Sequence, residues 1–230
     1  MGTIARHELA RLIDHTLLAP EATVGAVETL CAEGVDLGVG AICVSPTMVA
    51  VAVASLPSGF TVASVAGFPS GAHEAVVKAR EAELARDHGA REIDMVVNLG
   101  AVMGGRWAAV TDEIASVRRA VGAGVIVKVI VESAALDDGQ IVAACTAAVD
   151  AGADFVKTST GFHKSGGATS HAVRLMRATV GPQVGVKASG GIRTLDVALQ
   201  MIDAGATRLG TSSARAILDE AARTNAPGNS

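Results

Sequence analysis

The sequence predicts a single (β/α)8 barrel, the TIM-barrel class, as one domain over residues 1–230. Three observations predict it: eight short β-branched runs, an Ala-rich stretch of helical length after each, and strict alternation of the two. Alternation by itself admits a barrel or a doubly wound sheet. Eight βα units in 230 residues favour the barrel, whose usual size is about 250 residues.

In order, the first strand is Ile13–Leu17, carrying Asp14 and His15, with a helix near 22–33 after it. Gly40–Val44, which contains Cys43, precedes a helix near 46–54, and Thr61–Ala66 precedes one near 72–88. Glu92–Val97 leads to a helix near 106–121, opened by Trp107 after Gly104–Gly105, where the tryptophan reads as a packing anchor. Val125–Val131, Asp154–Lys157, Val184–Lys187 and Arg208–Gly210 are the remaining strands, followed by helices near 137–150, 169–179, 194–203 and 212–222. No linker or low-complexity block interrupts the pattern. A polar tail from about residue 223 is expected to fray.

Composition narrows the partners. A net charge of -4 with a pI near 5.8 gives no general attraction to nucleic acid or to an anionic membrane, so any phosphate site must be local. No apolar run approaches the roughly 20 residues of a membrane span, and MGTIARHELARLIDH lacks a secretory h-region, which together predict a cytoplasmic protein. Cys31, Cys43 and Cys145 are odd in number and set among apolar residues, as reduced core thiols are. Neither a CxxC nor an HExxH pattern occurs, so no metal site and no cofactor is expected.

Barrel enzymes place reactive groups at the C-terminal ends of the strands. Four polar residues stand out within apolar strands: Asp94 in EIDMVVN, Lys128 in VIVKVIVE, Lys157 in DFVKTSTGF and Lys187 in VGVKASGG. A lysine in such a strand must find a carboxylate, reach solvent at the barrel mouth or lose its proton. Structural ion pairing is the bland account of any one lysine; three together weaken it. Two ammonium groups at the ends of consecutive strands repel, which favours the neutral form of one, and a neutral amine is the nucleophile that Schiff-base chemistry requires. A carboxylate such as Asp94 would then move protons.

A second constellation is rich in glycine and hydroxyls: TSTGF at Thr158–Phe162, SGGATS at Ser165–Ser170, SGGI at Ser189–Ile192 and GTSSA at Gly210–Ala214. The last two follow strands seven and eight, where barrel enzymes commonly bind phosphate through backbone N–H groups and a helix N-terminus. A tight turn at Gly190–Gly191 and a simple helix cap at Ser212 or Ser213 are the structural alternatives. His15 reads as a hydrogen-bonding residue at a strand end. None of the histidines is assigned to catalysis.

Taken in order, IDHTLL, AICVSP, VASVAGFPSG, EIDMVVN, VKVIVE, DFVKTSTGF, VKASGGIRT and RLGTSS make the chain resemble the deoxyribose-phosphate aldolase family over most of its length. The resemblance implies a class I aldolase that interconverts 2-deoxy-D-ribose 5-phosphate with D-glyceraldehyde 3-phosphate and acetaldehyde, acting on phosphosugar and aldehyde alone. It implies Lys157 as the Schiff-base lysine, Lys187 as the second lysine that perturbs it and Asp94 in proton relay. Asp14, Lys128, Thr158 and Cys43 fall to the substrate site, with no required catalytic role for the cysteine. Gly161, Gly190, Gly191, Ser212 and Ser213 fall to phosphate binding. Two departures accompany the match. Some relatives end in a tyrosine that assists proton transfer, whereas this chain contains no tyrosine and closes with APGNS; some place a lysine where this chain has Phe162.

Two rival functions follow from the same residues. An epimerase or isomerase on this barrel would work through carboxylates without a covalent intermediate, and a non-catalytic phosphosugar-binding protein would bind without turnover. Exposed barrel helices would suit a homodimer or a higher homo-oligomer.

Overall fold

The computed structural model describes residues 4–224. The expected polar tail therefore lies, from residue 225 onward, outside the described residues. Eight parallel strands close in sequence order: β1 Ile13–Leu17, β2 Ala41–Val44, β3 Val62–Ala66, β4 Glu92–Val96, β5 Ile126–Ile130, β6 Phe155–Lys157, β7 Gly185–Ser189 and β8 Arg208–Thr211, with β8 pairing back onto β1. This is the predicted (β/α)8 barrel.

Among the described residues ten α-helices surround it: α1 Arg6–Arg11, α2 Val24–Leu37, α3 Val49–Ser55, α4 Ala75–Asp87, α5 Leu99–Met103, α6 Trp107–Val121, α7 Asp138–Asp150, α8 Ser170–Val180, α9 Leu195–Asp203 and α10 Ala214–Thr224. Several starts are written locally. Thr23, Thr169 and Thr194 accept from backbone N–H groups as N-caps, and Asp137 with Gln140 forms a capping box at α7.

Two helices were not expected from the sequence. α1 is too short for its period to register, and α5 is a five-residue turn started by Asn98, whose side chain accepts from Ala101 N at 2.9 Å. The helix expected near 22–33 runs on to Leu37, because Gly34 is a point of close approach: a Cβ there would collide with Ile42. It stops at Gly38, whose φ of 71° is left-handed. The helix expected from 46 begins as a 3-10 turn at Pro46–Met48, and those expected from 72 and 212 begin at Ala75 and Ala214.

Alternation along each strand sorts the interior into two layers. Ile93, Met95, Val127, Val129, Val156, Val186 and Leu209 are buried against helix residues such as Ile114, Val117, Met176 and Ile217. Each such side chain contributes about 1.5–3 kcal/mol by leaving water. The residues between them, Asp94, Lys128, Lys157, Lys187 and Arg208, are matched through the strand registers and share the barrel interior. Two glycines make room there. A Cβ on Gly185 would overlap the Phe155 ring, and one on Gly210 would sit 3.0 Å from Cε of Lys187.

Candidate active site

Asp94 lies at the centre of the barrel and is fully buried. Its Oδ1 accepts from Lys128 at 2.7 Å, and its Oδ2 accepts from both Lys157 and Lys187 at 2.7 Å. Three ammonium groups thus converge on one carboxylate. Lys187 also donates to Asp14 Oδ2, while Arg208 donates to Asp14 Oδ1 at 2.6 Å. Lys128 lies 2.6 Å from Glu92 Oε2 and 3.5 Å from Asp14 Oδ2.

Four bases and three acids therefore occupy this interior: Lys128, Lys157, Lys187 and Arg208 against Asp14, Glu92 and Asp94. With every group ionised the cluster carries one uncompensated positive charge. Losing one proton balances it. Burial opposes charge at all three lysines, but the outcome differs between them. At Lys128 the carboxylates Asp94, Asp14 and Glu92 outweigh burial, and at Lys187 Asp14 and Asp94 do so; both hold their protons more tightly than a free lysine. At Lys157 burial prevails over the single carboxylate Asp94, and the neighbouring Lys187 ammonium adds to it, so its proton affinity is lowered. Burial would raise Asp94 and Asp14, yet the surrounding cations hold both below the usual carboxylate range. The proton is thus most easily lost from Lys157.

Lys157 is also the lysine of the three that reaches open space. It is 3% exposed, where Lys128 and Lys187 are 0% exposed, and it forms the floor of a cavity of about 390 Å³ at the barrel mouth. Gly161, Gly190, Gly191 and Ser212 line the same cavity, and the three glycines have φ between 82° and 87°. That is left-handed backbone, in which glycine turns its N–H where other residues seldom can. Ser189 and Arg193 also line it, the Ser189 hydroxyl donating to the Ser159 carbonyl.

Three expected site residues sit elsewhere. Ser213 is not on the cavity wall; it opens α10, its N–H bonded to Thr211 Oγ1 at 2.9 Å and its carbonyl accepting from Ile217. Thr158 is fully buried, its hydroxyl exchanging hydrogen bonds with the backbone of Ser189 at 3.1 and 3.0 Å, so it ties the ends of β6 and β7 together. Cys43 packs with Ala63 and Val65 beneath the mouth, and burial followed by the Asp94 charge raises its thiol, which stays protonated. Asp14 and Lys128 lie below the cavity as partners of the buried charges.

Sequence reasoning missed four residues. Glu92 precedes Asp94 by two and Arg208 precedes Gly210 by two; that same-face spacing in apolar strands was the available signal. Arg193 stood unremarked in VKASGGIRT. Glu132 has a left-handed backbone, φ 59°, and its buried carboxylate accepts from Thr160 Oγ1 at 2.6 Å, fixing the segment that leads to Gly161. Nothing local marks it, because its partner lies 28 positions away.

No group of three or more His, Cys, Asp or Glu among the described residues is arranged to hold a metal ion. Nor is any described helix long and apolar enough to cross a membrane.

The chain matches the family model described as DeoC/LacD family aldolase over residues 9–220. It is 56% identical over 216 residues to a deoxyribose-phosphate aldolase of Kocuria rhizophila, covering 94% of this chain and 98% of the relative. It is 58% identical over 221 residues to one of Mycolicibacterium paratuberculosis, again covering 94% and 98%. Among solved structures it resembles the tetrameric deoxyribose phosphate aldolase of Aeropyrum pernix, with a TM-score of 0.85 and 36% identity, covering 94% of this chain and 91% of that one.

Proposed function

The chain belongs to the DeoC/LacD aldolase family, and we propose that it cleaves 2-deoxy-D-ribose 5-phosphate reversibly to D-glyceraldehyde 3-phosphate and acetaldehyde through a Schiff base on Lys157. The observation that carries the assignment of Lys157 is its place at the cavity floor combined with the surplus of one base over the acids around it.

In the cleavage direction the neutral amine of Lys157 attacks the C1 aldehyde of the open-chain sugar, and the carbinolamine loses water to give an iminium. The C3 hydroxyl then gives up its proton, the C2–C3 bond breaks, and its electron pair moves into the iminium to form an enamine. Glyceraldehyde 3-phosphate leaves. Protonation of the enamine carbon and hydrolysis of the iminium release acetaldehyde and restore the lysine. Asp94, 2.7 Å from the Lys157 nitrogen, is placed to pass protons at that nitrogen directly or through water. Gly161, Gly190, Gly191 and Ser212 suit the phosphate at the far end of the cavity, and Arg193, which also lines it, is the basic residue available to a phosphate there, where Phe162 offers no charge.

An isomerase working through free carboxylates would need one facing the cavity; Asp14, Glu92 and Asp94 are engaged with cations below it, and the Glu132 carboxylate is taken up by Thr160. A cytoplasmic location belongs to the same reading. So does a homo-oligomer, in keeping with the tetrameric Aeropyrum pernix relative and the exposed Val76 and Val77 of α4.

Incubating the protein with acetaldehyde and sodium borohydride tests the reading. Condensation loses water and hydride reduction follows, so intact mass should rise by one ethyl group in place of a hydrogen, mapped to Lys157. An ethyl group on Lys187 or Lys128 would overturn the assignment.

A further inference from the structure

Below the layer that holds Lys157, Asp94 and Lys187, a second charged layer closes the barrel. Glu92 at the start of β4 and Arg208 at the start of β8 face each other, with Arg208 Nη2 3.3 Å from Glu92 Oε1. Arg208 lies over the Phe155 ring, 5.8 Å from its centre, and its side chain is 17% exposed. Neither residue touches the cavity. Each reaches the upper layer through an intermediary: Arg208 through Asp14, which also holds Lys187, and Glu92 through Lys128, which also holds Asp94.

We infer that Glu92 and Arg208 are positioning residues that set the proton affinity of Lys157 from beneath, in opposite directions, by closing the charge balance of the barrel interior. The inference rests on Lys157 being the Schiff-base lysine.

The titratable and charged groups facing this interior are Asp14 from β1, Cys43 from β2, Glu92 and Asp94 from β4, Lys128 from β5, Lys157 from β6, Lys187 from β7 and Arg208 from β8. β3 faces it with none. With Cys43 protonated and Lys157 neutral, three cations meet three anions. Without Arg208 the interior is one charge negative, and a proton on Lys157 restores neutrality. Without Glu92 it is already one charge positive, and a proton on Lys157 makes it two. Charges in a largely buried cluster are screened less than surface pairs, so the distance from Glu92 and Arg208 to Lys157 does not erase the effect, although the 17% exposure of Arg208 weakens its share.

The test is the pH dependence of borohydride trapping with acetaldehyde, read as the midpoint of adduct formation on Lys157. Arg208→Gln should move the midpoint up by about one pH unit or more, and Glu92→Gln should move it down by a similar amount. Arg208→Lys keeps the charge and should leave the midpoint in place. The double variant Glu92→Gln with Arg208→Gln should return it near that of the unmodified protein. A general loss of packing would lower adduct yield without moving midpoints in opposite directions. If Glu92→Gln does not fold, the comparison of Arg208→Gln with Arg208→Lys still decides, since Arg208 is partly exposed. Coincident midpoints, or displacements of the same sign, overturn this inference alone. Failure to trap any adduct on Lys157 in the unmodified protein overturns the proposed nucleophile and this inference with it.

Discussion

Lys157 and Lys187 are register partners on neighbouring strands, and both ammonium nitrogens come within 2.7 Å of the same oxygen of Asp94. Sharing one acceptor makes the pair unequal, because Lys187 has Asp14 as a second carboxylate. Lys187 keeps its proton, and Lys157 gives it up more readily.

Lys187→Met should therefore raise the proton affinity of Lys157 toward that of a free lysine, since the nearest cation is gone while Asp94 remains. Burial of Lys157 persists, so the rise should be partial. A tenfold gain in proton affinity should lower activity near neutral pH by about tenfold, with part of it recovered at high pH. The pH profile of Schiff-base trapping, compared with that of the unmodified protein, is the measurement. Superimposable profiles would leave Lys187 no electrostatic role.

Asp94→Asn separates charge from proton transfer. Removing the anion shared by three lysines should lower the proton affinity of Lys157 further, so trapping should survive at lower pH. Turnover should nevertheless fall by about 10²–10⁴-fold as the proton relay is lost. Breaking the buried pairs should also cost stability, about 3–5 kcal/mol, visible as a lowered Tm. Near-normal turnover in a folded Asp94→Asn protein would remove Asp94 from the chemistry.

At Gly191 the expected defect is one of backbone direction. Beyond its chain neighbours no heavy atom lies within 4 Å of the position a Cβ would take, but φ is 82°, a conformation that valine resists. Gly191→Val should turn the local N–H groups away from the cavity and raise KM for the phosphorylated substrate by about tenfold, the scale of one lost charge-assisted hydrogen bond. Trapping of acetaldehyde, which has no phosphate, should be unchanged. Equal damage to both would indicate a folding defect.

Exhaustive dialysis against a chelator should leave turnover intact, because the lysine iminium serves as the electron sink in the proposed reaction. An activity lost on dialysis and restored only by added zinc would contradict the lysine mechanism.

By itself the sequence determined the architecture and marked the residues on which the proposed chemistry rests. Eight apolar runs, each with a helical segment after it, are a repeated local signal, and local signals survive in one dimension. Lys128, Lys157 and Lys187 were legible for a similar reason: a long cation inside a β-branched run breaks the apolar pattern. Two short helices escaped, as did the passage of α2 through Gly34, because a glycine looks like a break until Ile42, from a neighbouring strand, explains it. The resemblance singled out Lys157, but only the closed barrel supplies a physical reason for its difference from the other lysines. That depends on Asp14, Asp94 and Arg208, drawn from β1, β4 and β8 and separated by up to 194 positions, converging at hydrogen-bond distance. Ser212 and Ser213 were likewise told apart only by tertiary structure, since of these neighbours at a helix start Ser212 alone lines the cavity. Proton affinity is a property of every charge within reach, and in a barrel the charges within reach come from every strand.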